Sequence, residues 1–207
     1  MALSAPTLEM KDAQRSAILE LAAAAARGNM EATSALLKQL APGIIRSAHA
    51  LMGTSHPDVD DVVQQSLIGL VQALPAFRGE CSPAHYASRI VARTVVAAKH
   101  RAKLRGERRD DAVELDEVVD LRQAAPGEAL LAERRRATVR DLLAEIPEEQ
   151  AETFAMRIGL GFSLPEVASA TGVPLNTVRS RIRLAKQALK RRIDADPVLL
   201  ELLEVES

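Results

Sequence analysis

The run SLPEVASATGVPLNTVRSRIRLAKQALKRRI, residues 163–193, decides how this chain is read. Ser163 followed three residues later by Glu166 is a capping box, in which hydroxyl and carboxylate each satisfy a backbone N–H of the opening helical turn. It predicts a short helix over Leu164–Thr171. Gly172 ends that helix, because the left-handed backbone of a tight turn carries no steric penalty at glycine. A second helix then runs from about Leu175 to about Ile193, and it has two faces. Val178, Ile182, Ala185 and Leu189 fall at i, i+4, i+7 and i+11 and belong inside, while Arg179, Arg183, Lys186 and Lys190 repeat that spacing on another face. This is the layout of a helix-turn-helix. Its second helix needs an apolar back to hold it and a cationic, hydrogen-bonding front for a DNA groove.

Position along that helix divides the work. The N-terminal turn of a recognition helix reaches base edges, and here it offers Asn176, Thr177, Arg179 and Ser180. An arginine there makes a bidentate contact to guanine worth ~1–3 kcal/mol of discrimination. Arg181, Arg183, Lys186 and Lys190 suit phosphates, giving affinity that falls with salt. The plainer alternative is an amphipathic helix with a solvated basic face. The capping box, the glycine turn and the lack of acids from Arg179 to Arg192 favour DNA.

Outward from this run, nearly everything keeps the helical period. Of 207 residues, 47% are hydrophobic and only 2% aromatic, so Ala and Leu do the packing and favour helix over strand. That length makes one medium domain or two small ones. Ile18, Leu21, Ala22 and Ala25 share a face before a stop at Gly28. Asn29 caps a second helix, with Leu37, Leu40, Ile44, Ala48 and Leu51 on one side and a kink expected at Pro42. A third helix follows Asp58, with Val63, Leu67, Leu70, Val71 and Leu74 turned inward, and it breaks over 75–79. Ser82-Pro83 opens a fourth. There Tyr86, Ile90, Val91 and Val95 pack while Arg89, Arg93, Lys99, Arg101, Lys103 and Arg105 project outward.

Residues 110–128 are acidic, weakly periodic and broken by Ala125-Pro126-Gly127, which reads as an exposed linker. Beyond it, a helix over about Glu128–Ile146 carries Leu131, Val139, Leu142 and Leu143. Another after Pro147 carries Ala151, Phe154, Ala155 and Ile158 and ends at Gly159 and Gly161. The expected fold is therefore all-α: two small helical domains joined by a flexible acidic linker, the C-terminal one containing the helix-turn-helix. The divisions are a tail at 1–17, a domain at 18–108, the linker at 109–127, a domain at 128–194 and a tail at 195–207. In that last tail Leu199, Leu200, Leu202 and Leu203 suit a short helix that docks on a partner or folds back.

Net charge is −1, yet the distribution is uneven. Charges from Arg89 to Arg109 are nearly all positive, those from Asp110 to Asp120 all negative, and those from Arg179 to Arg192 all positive again. Two basic patches flank an acidic spacer. The single cysteine, Cys81, forms no internal disulfide and suits a reducing compartment. No apolar run approaches a membrane span, and the start lacks the layout of a secretory signal. A cytoplasmic location is expected.

In the third helix, Asp60 shares a face with Gln64, and Asp61 with Gln65. Carboxylates together suggest acid–base or metal chemistry, but two adjacent acids point in different helical directions and no His or third acid recurs at ligand spacing. A polar patch for a protein partner, or a solvated face, is the better reading. His49, His56, His85 and His100 form no metal-binding pattern, and neither a nucleophile elbow nor a phosphate loop is present. No enzyme, metal or cofactor is expected.

Taken together and in order, several segments resemble the extracytoplasmic-function branch of bacterial sigma factors. Residues 23–29 (AAAARGN), with Leu36-Leu37 and Pro42, resemble that family's opening helices. Asp60-Asp61-Val62-Val63-Gln64-Gln65 resembles its acidic helix, and Leu74-Pro75-Ala76-Phe77-Arg78 the break after it. Leu142 to Pro147, Phe154, Glu166-Val167-Ala168 and Thr177-Val178-Arg179-Ser180-Arg181 resemble its promoter-reading domain.

The resemblance implies a sigma factor that directs core RNA polymerase to specific promoters. Asp60, Asp61 and Gln64 would contact a coiled coil of the polymerase. Tyr86, Arg89, Arg93, Thr94, Lys99 and Arg101 would serve the minus-ten element. Asn176, Thr177, Arg179, Ser180, Arg183 and Lys186 would serve the minus-thirty-five element. An anti-sigma protein is an implied partner. The family's Trp in the fourth helix has no counterpart here, its Asn is replaced around Arg93-Thr94, and a common recognition-helix Arg is Leu184. Three alternatives stand beside this reading. They are a helix-turn-helix regulator that never binds core polymerase, a metal protein built on Asp60, Asp61 and His56, and a scaffold with merely solvated basic helices.

Overall fold

A computed structural model describes the backbone of residues 8–104 and 126–199, with side chains over 16–101, at 131 and over 134–199. Every regular element among the described residues is helical. Helix α1 (Leu8–Ala26) begins inside the stretch expected to be a tail. It contains no Gly or Pro and is rich in Ala, Leu and Glu, so propensity sustains a helix where periodicity is weak. Gly28 turns the chain at φ 89°. Asn29 Oδ1 then accepts from the Ala32 N–H at 2.9 Å, capping α2 (Met30–Met52), which runs unbroken through Pro42.

Helix α3 (Val59–Ala73) buries a stripe one position away from the one expected. Val59, Val62, Ser66 and Leu70 are inside, Val63 and Leu67 flank them, and Val71 is 41% exposed. The polar Ser66 in mid-stripe hides the true face from a hydrophobicity count. A 3₁₀ turn at Leu74–Ala76 leads toward α4 (Pro83–Leu104), where Ser82 Oγ accepts from the His85 N–H at 3.1 Å. Val91 and Val95 are buried as expected, with Tyr86 and Ile90 partly so. Arg105, the expected boundary at 108/109 and most of the linker lie outside the described residues.

Helix α5 (Pro126–Leu143) takes in Pro126 and Gly127, the end of the expected linker, because proline is accommodated in a first helical turn. Its C-terminal turns are buried through Arg140, Leu142 and Leu143, while Leu131 stays exposed. Helix α6 (Glu148–Phe154) continues into a π-turn, Ala155–Gly159, closed by Leu160 N–H to Ala155 C=O at 3.0 Å. The wider turn breaks the 3.6-residue count, so Ile158, expected to share the apolar set, is 52% exposed. Helices α7 (Leu164–Thr171) and α8 (Leu175–Asp194) follow. Leu199 folds back onto the cluster that holds Leu142, Ala185 and Leu189; residues 200–207 lie outside the described set.

Helices α1–α4 enclose one core. Two more clusters cross between the halves. Ala92 joins Ala155, Met156, Val167 and Val178, and Val96 joins Leu142, Leu143 and Ala185. Helix α4 therefore has two buried faces, one toward its own bundle and one toward α5–α8.

Candidate nucleic-acid interface

The helix-turn-helix is built locally. Ser163 Oγ accepts from the Glu166 N–H, and the Glu166 carboxylate accepts from the Ser163 N–H at 2.7 Å, closing the capping box. Hydrogen bonds from the Ser163 hydroxyl and N–H, with a smaller contribution from nearby His85, hold the Glu166 carboxyl below its ordinary range. Gly172 adopts φ 70° and its N–H bonds Ala168 C=O. On α8, Val178, Ile182, Ala185 and Leu189 are all buried, an apolar back that fixes the roll of the helix. That roll leaves Asn176, Arg179, Arg183, Lys186 and Lys190 exposed, with Thr177, Ser180 and Arg181 half-exposed. Arg179 leans on Asn176 Oδ1 at 3.1 Å and Lys190 on Asp194 at 3.2 Å. Both partners belong to α8 itself, so its cationic face remains directed to solvent.

Helix α4 is different. Arg89 Nε donates to Glu152 Oε1 at 2.8 Å and Arg89 Nη1 to Ala170 C=O at 3.2 Å. Lys99 Nζ lies 3.0 Å from Asp141 Oδ1, and Arg93 Nε 3.9 Å from Glu148 Oε1. All four acceptors lie in the C-terminal half. Thr94 Oγ1 donates to Ile90 C=O within the helix, and Arg101 is exposed. Tyr86 is engaged in its own bundle: its hydroxyl donates to Ala73 C=O at 3.2 Å and its ring lies 5.0 Å from that of Phe77. Burial pushes its phenol pKa up.

On α3, Asp60, Asp61 and Gln64 are exposed, as is Gln65. They extend from a helix held behind by α2 and α4. His56 sits at the loop before α3, where its Nδ1 accepts from the Asp58 N–H. Among the described residues, no three His, Cys, Asp or Glu side chains are grouped to hold a metal ion, and no helix is long and apolar enough to cross a membrane.

Sequence reasoning missed the residues that join the halves. Arg140, 5% exposed, donates to the C-terminal carbonyl of α2, Met52 C=O, at 2.6 Å. Ser169 Oγ donates to Glu80 C=O. The available signal was Glu152, a carboxylate set in the apolar run from Ala151 to Met156; a buried acid needs a cationic partner.

Two family models match. That for sigma-70 region 2 covers residues 36–105, and that for sigma-70 region 4 covers residues 136–189. The ECF RNA polymerase sigma-E factor of Salmonella typhimurium (strain LT2) is 31% identical over 144 residues, 66% of this chain and 74% of that protein. The chain belongs to the extracytoplasmic-function family of RNA polymerase sigma factors. It is thus a sigma factor directing RNA polymerase in transcription initiation. The ECF sigma factor SigD of Mycobacterium tuberculosis (strain H37Rv) is 29% identical over 195 residues, 92% of this chain and 89% of that protein. Among solved structures, CnrH in complex with the cytosolic domain of CnrY is 26% identical, covers 87% of this chain and 99% of that one, and superposes with a TM-score of 0.46. In this sigma factor region 2 coincides with α2–α4 and region 4 with the end of α5 through most of α8.

Proposed function

We propose that this sigma factor divides promoter recognition between its halves, the N-terminal half at 18–108 and the C-terminal half at 128–194. Asp60, Asp61 and Gln64 of α3 form the contact with core polymerase. Arg89, Arg93, Thr94, Lys99 and Arg101 of α4, with Tyr86 behind them, serve the minus-ten element. Asn176, Thr177, Arg179, Ser180, Arg183 and Lys186 of α8 read the minus-thirty-five element. The observation that carries this reading is the roll of α8: four buried apolar residues put the exposed cations opposite them, as groove insertion requires.

In this reading the chain performs no covalent chemistry. It supplies position and charge, while the polymerase supplies catalysis and its metal. It works in the cytoplasm, where polymerase and genome meet, and an anti-sigma protein is the partner expected of a member of this family. Reconstituted transcription with core polymerase and genomic DNA tests the assignment. Discrete start sites absent with core alone are expected, and Asp61→Ala should reduce initiation about tenfold at limiting polymerase, a loss of ~1.4 kcal/mol, while leaving duplex binding by the isolated chain intact. DNA binding without any initiation would favour a regulator that does not engage polymerase.

A further inference from the structure

Helix α8 presents two different stripes to solvent. Arg179, Arg183, Lys186 and Lys190 form one, and all are exposed. Thr177, Ser180, Leu184 and Gln187 fall at i, i+3, i+7 and i+10, the spacing of a single helical line, and form a second stripe that carries no charge until Arg191. Thr177 and Ser180 are half-exposed, Leu184 and Gln187 exposed. At about 100° per residue, the uncharged stripe stands on average ~145° round the helix from the buried line of Val178, Ile182, Ala185 and Leu189, and the four cations ~100°. A helix inserted in the major groove turns the side farthest from its core to the groove floor, where base edges lie, and its flanks to the phosphates. The uncharged stripe therefore faces the floor and the cations a wall.

Leu184 is the unexpected member of that stripe. It is 38% exposed and stands outside the three apolar clusters. A single exposed leucine is ordinary on a protein surface; its place sets this one apart. Thr177, Ser180 and Gln187 carry donors and acceptors for base edges, and Leu184 carries neither. Among the groups a base pair presents in the major groove, the thymine 5-methyl is the one an aliphatic side chain complements. Cytosine presents an amino donor there, and the purines present N7 acceptors. A leucine pressed on any of these would strip its water without replacing the hydrogen bond.

Resting on the reading of α8 as the minus-thirty-five helix, we propose that Leu184 is a specificity-determining residue that reads a thymine by its 5-methyl group. Ser180, one turn earlier on the same stripe, and Gln187, one turn later, bracket it with hydrogen-bonding groups. A rise of ~1.5 Å per residue puts Leu184 ~6 Å beyond Ser180 and ~4.5 Å short of Gln187 along the helix axis. Base pairs lie ~3.4 Å apart, so the three side chains meet different pairs. The leucine contact adds sequence preference without adding to salt dependence, the reverse of what Lys186 and Lys190 contribute.

The test begins with a duplex library randomised over the minus-thirty-five segment and selected by the full chain assembled with core polymerase. The most enriched sequence is then remade with each thymine in turn replaced by deoxyuridine, which removes one methyl and no hydrogen-bonding group. The wild-type chain should bind one of these duplexes about fourfold more weakly, the effect of one methyl leaving an apolar contact. Leu184→Ala should bind the thymine and deoxyuridine duplexes equally, with its salt slope unchanged. Leu184→Met should restore part of the difference, and Leu184→Arg, selected afresh, should replace thymine by guanine at that position. Alanine is the better helix former and Leu184 is exposed, so the alanine variant should keep the wild-type circular dichroism. An enriched element without thymine, wild-type binding indifferent to every methyl, or full discrimination by Leu184→Ala overturns the proposal alone. A library from which no sequence emerges overturns the reading of α8 and the proposal with it, so the two failures are distinguishable.

Discussion

Helices α4 and α8 look alike as sequence and behave differently as structure. Each is amphipathic and each carries arginines and lysines at helical spacing. On α8 every cation assigned to phosphate or base is exposed or half-exposed, and the side-chain partners seen for Arg179 and Lys190 lie on the same helix. On α4 the cations reach across to carboxylates of the other half, and Lys99 is only 23% exposed. The contrast teaches that a basic helical face is a capacity for DNA, and that tertiary packing decides whether that capacity is available. In α8 the apolar back packs inward, against its own domain and against Ala92 and Val96 of α4, so packing turns the charge outward. In α4 a second apolar stripe, Ala92 and Val96, draws the other half onto the charged side.

The largest expected effect breaks the α8 side of this contrast. Val178 is fully buried, and Val178→Asp places an unpaired charge at the centre of the helix-turn-helix, costing ~3–5 kcal/mol. Urea denaturation should show the C-terminal half losing its cooperative transition. Wild-type unfolding would mean that this apolar back does not anchor α8.

A smaller pair of changes sharpens the role of the outward face. Arg179→Ala should cost ~1–3 kcal/mol for the cognate minus-thirty-five duplex and little for unrelated DNA. Arg183→Ala should weaken all duplexes alike and reduce the salt slope by about one. Fluorescence anisotropy against both duplexes over a salt series separates them. Identical behaviour would remove the division between base reading and phosphate contact.

The smallest effect concerns the cap that sets where α7 begins. Ser163→Ala should destabilise the C-terminal half by ~1 kcal/mol at neutral pH. Because the folded Glu166 carboxyl is held below its usual value near 4.5, chiefly by Ser163, its stabilisation is fully present above that value. It fades as pH falls through the lowered one. The melting difference between wild type and variant should therefore be greatest near neutrality and shrink in strong acid. A constant difference would assign the cap no ionic part.

Much of the fold was legible without coordinates. The caps at Asn29 and Ser163, the stop at Gly172 and the four inward residues of α8 depend on neighbours within a turn or two, and all appear as read. Misreadings cluster where that local logic is diluted. Ser66 interrupts the buried stripe of α3, the π-turn shifts the count at Ile158, and a segment without Gly or Pro extends α1 into an expected tail. At the site, the sequence exposed every cation and carboxylate assigned to DNA and polymerase, but it treated Arg89, Arg93 and Lys99 as equivalent to Arg101.

The amino-acid order alone determined that this chain is helical, that it carries two basic helices of opposite location, and that one of them belongs to a helix-turn-helix. Hydrophobic period, capping and turn chemistry act over a few residues, so they are written locally. Only the tertiary structure decided which basic face is covered. The bonds responsible join residues 42 to 88 positions apart, and no short-range pattern specifies which distant carboxylate a given arginine meets.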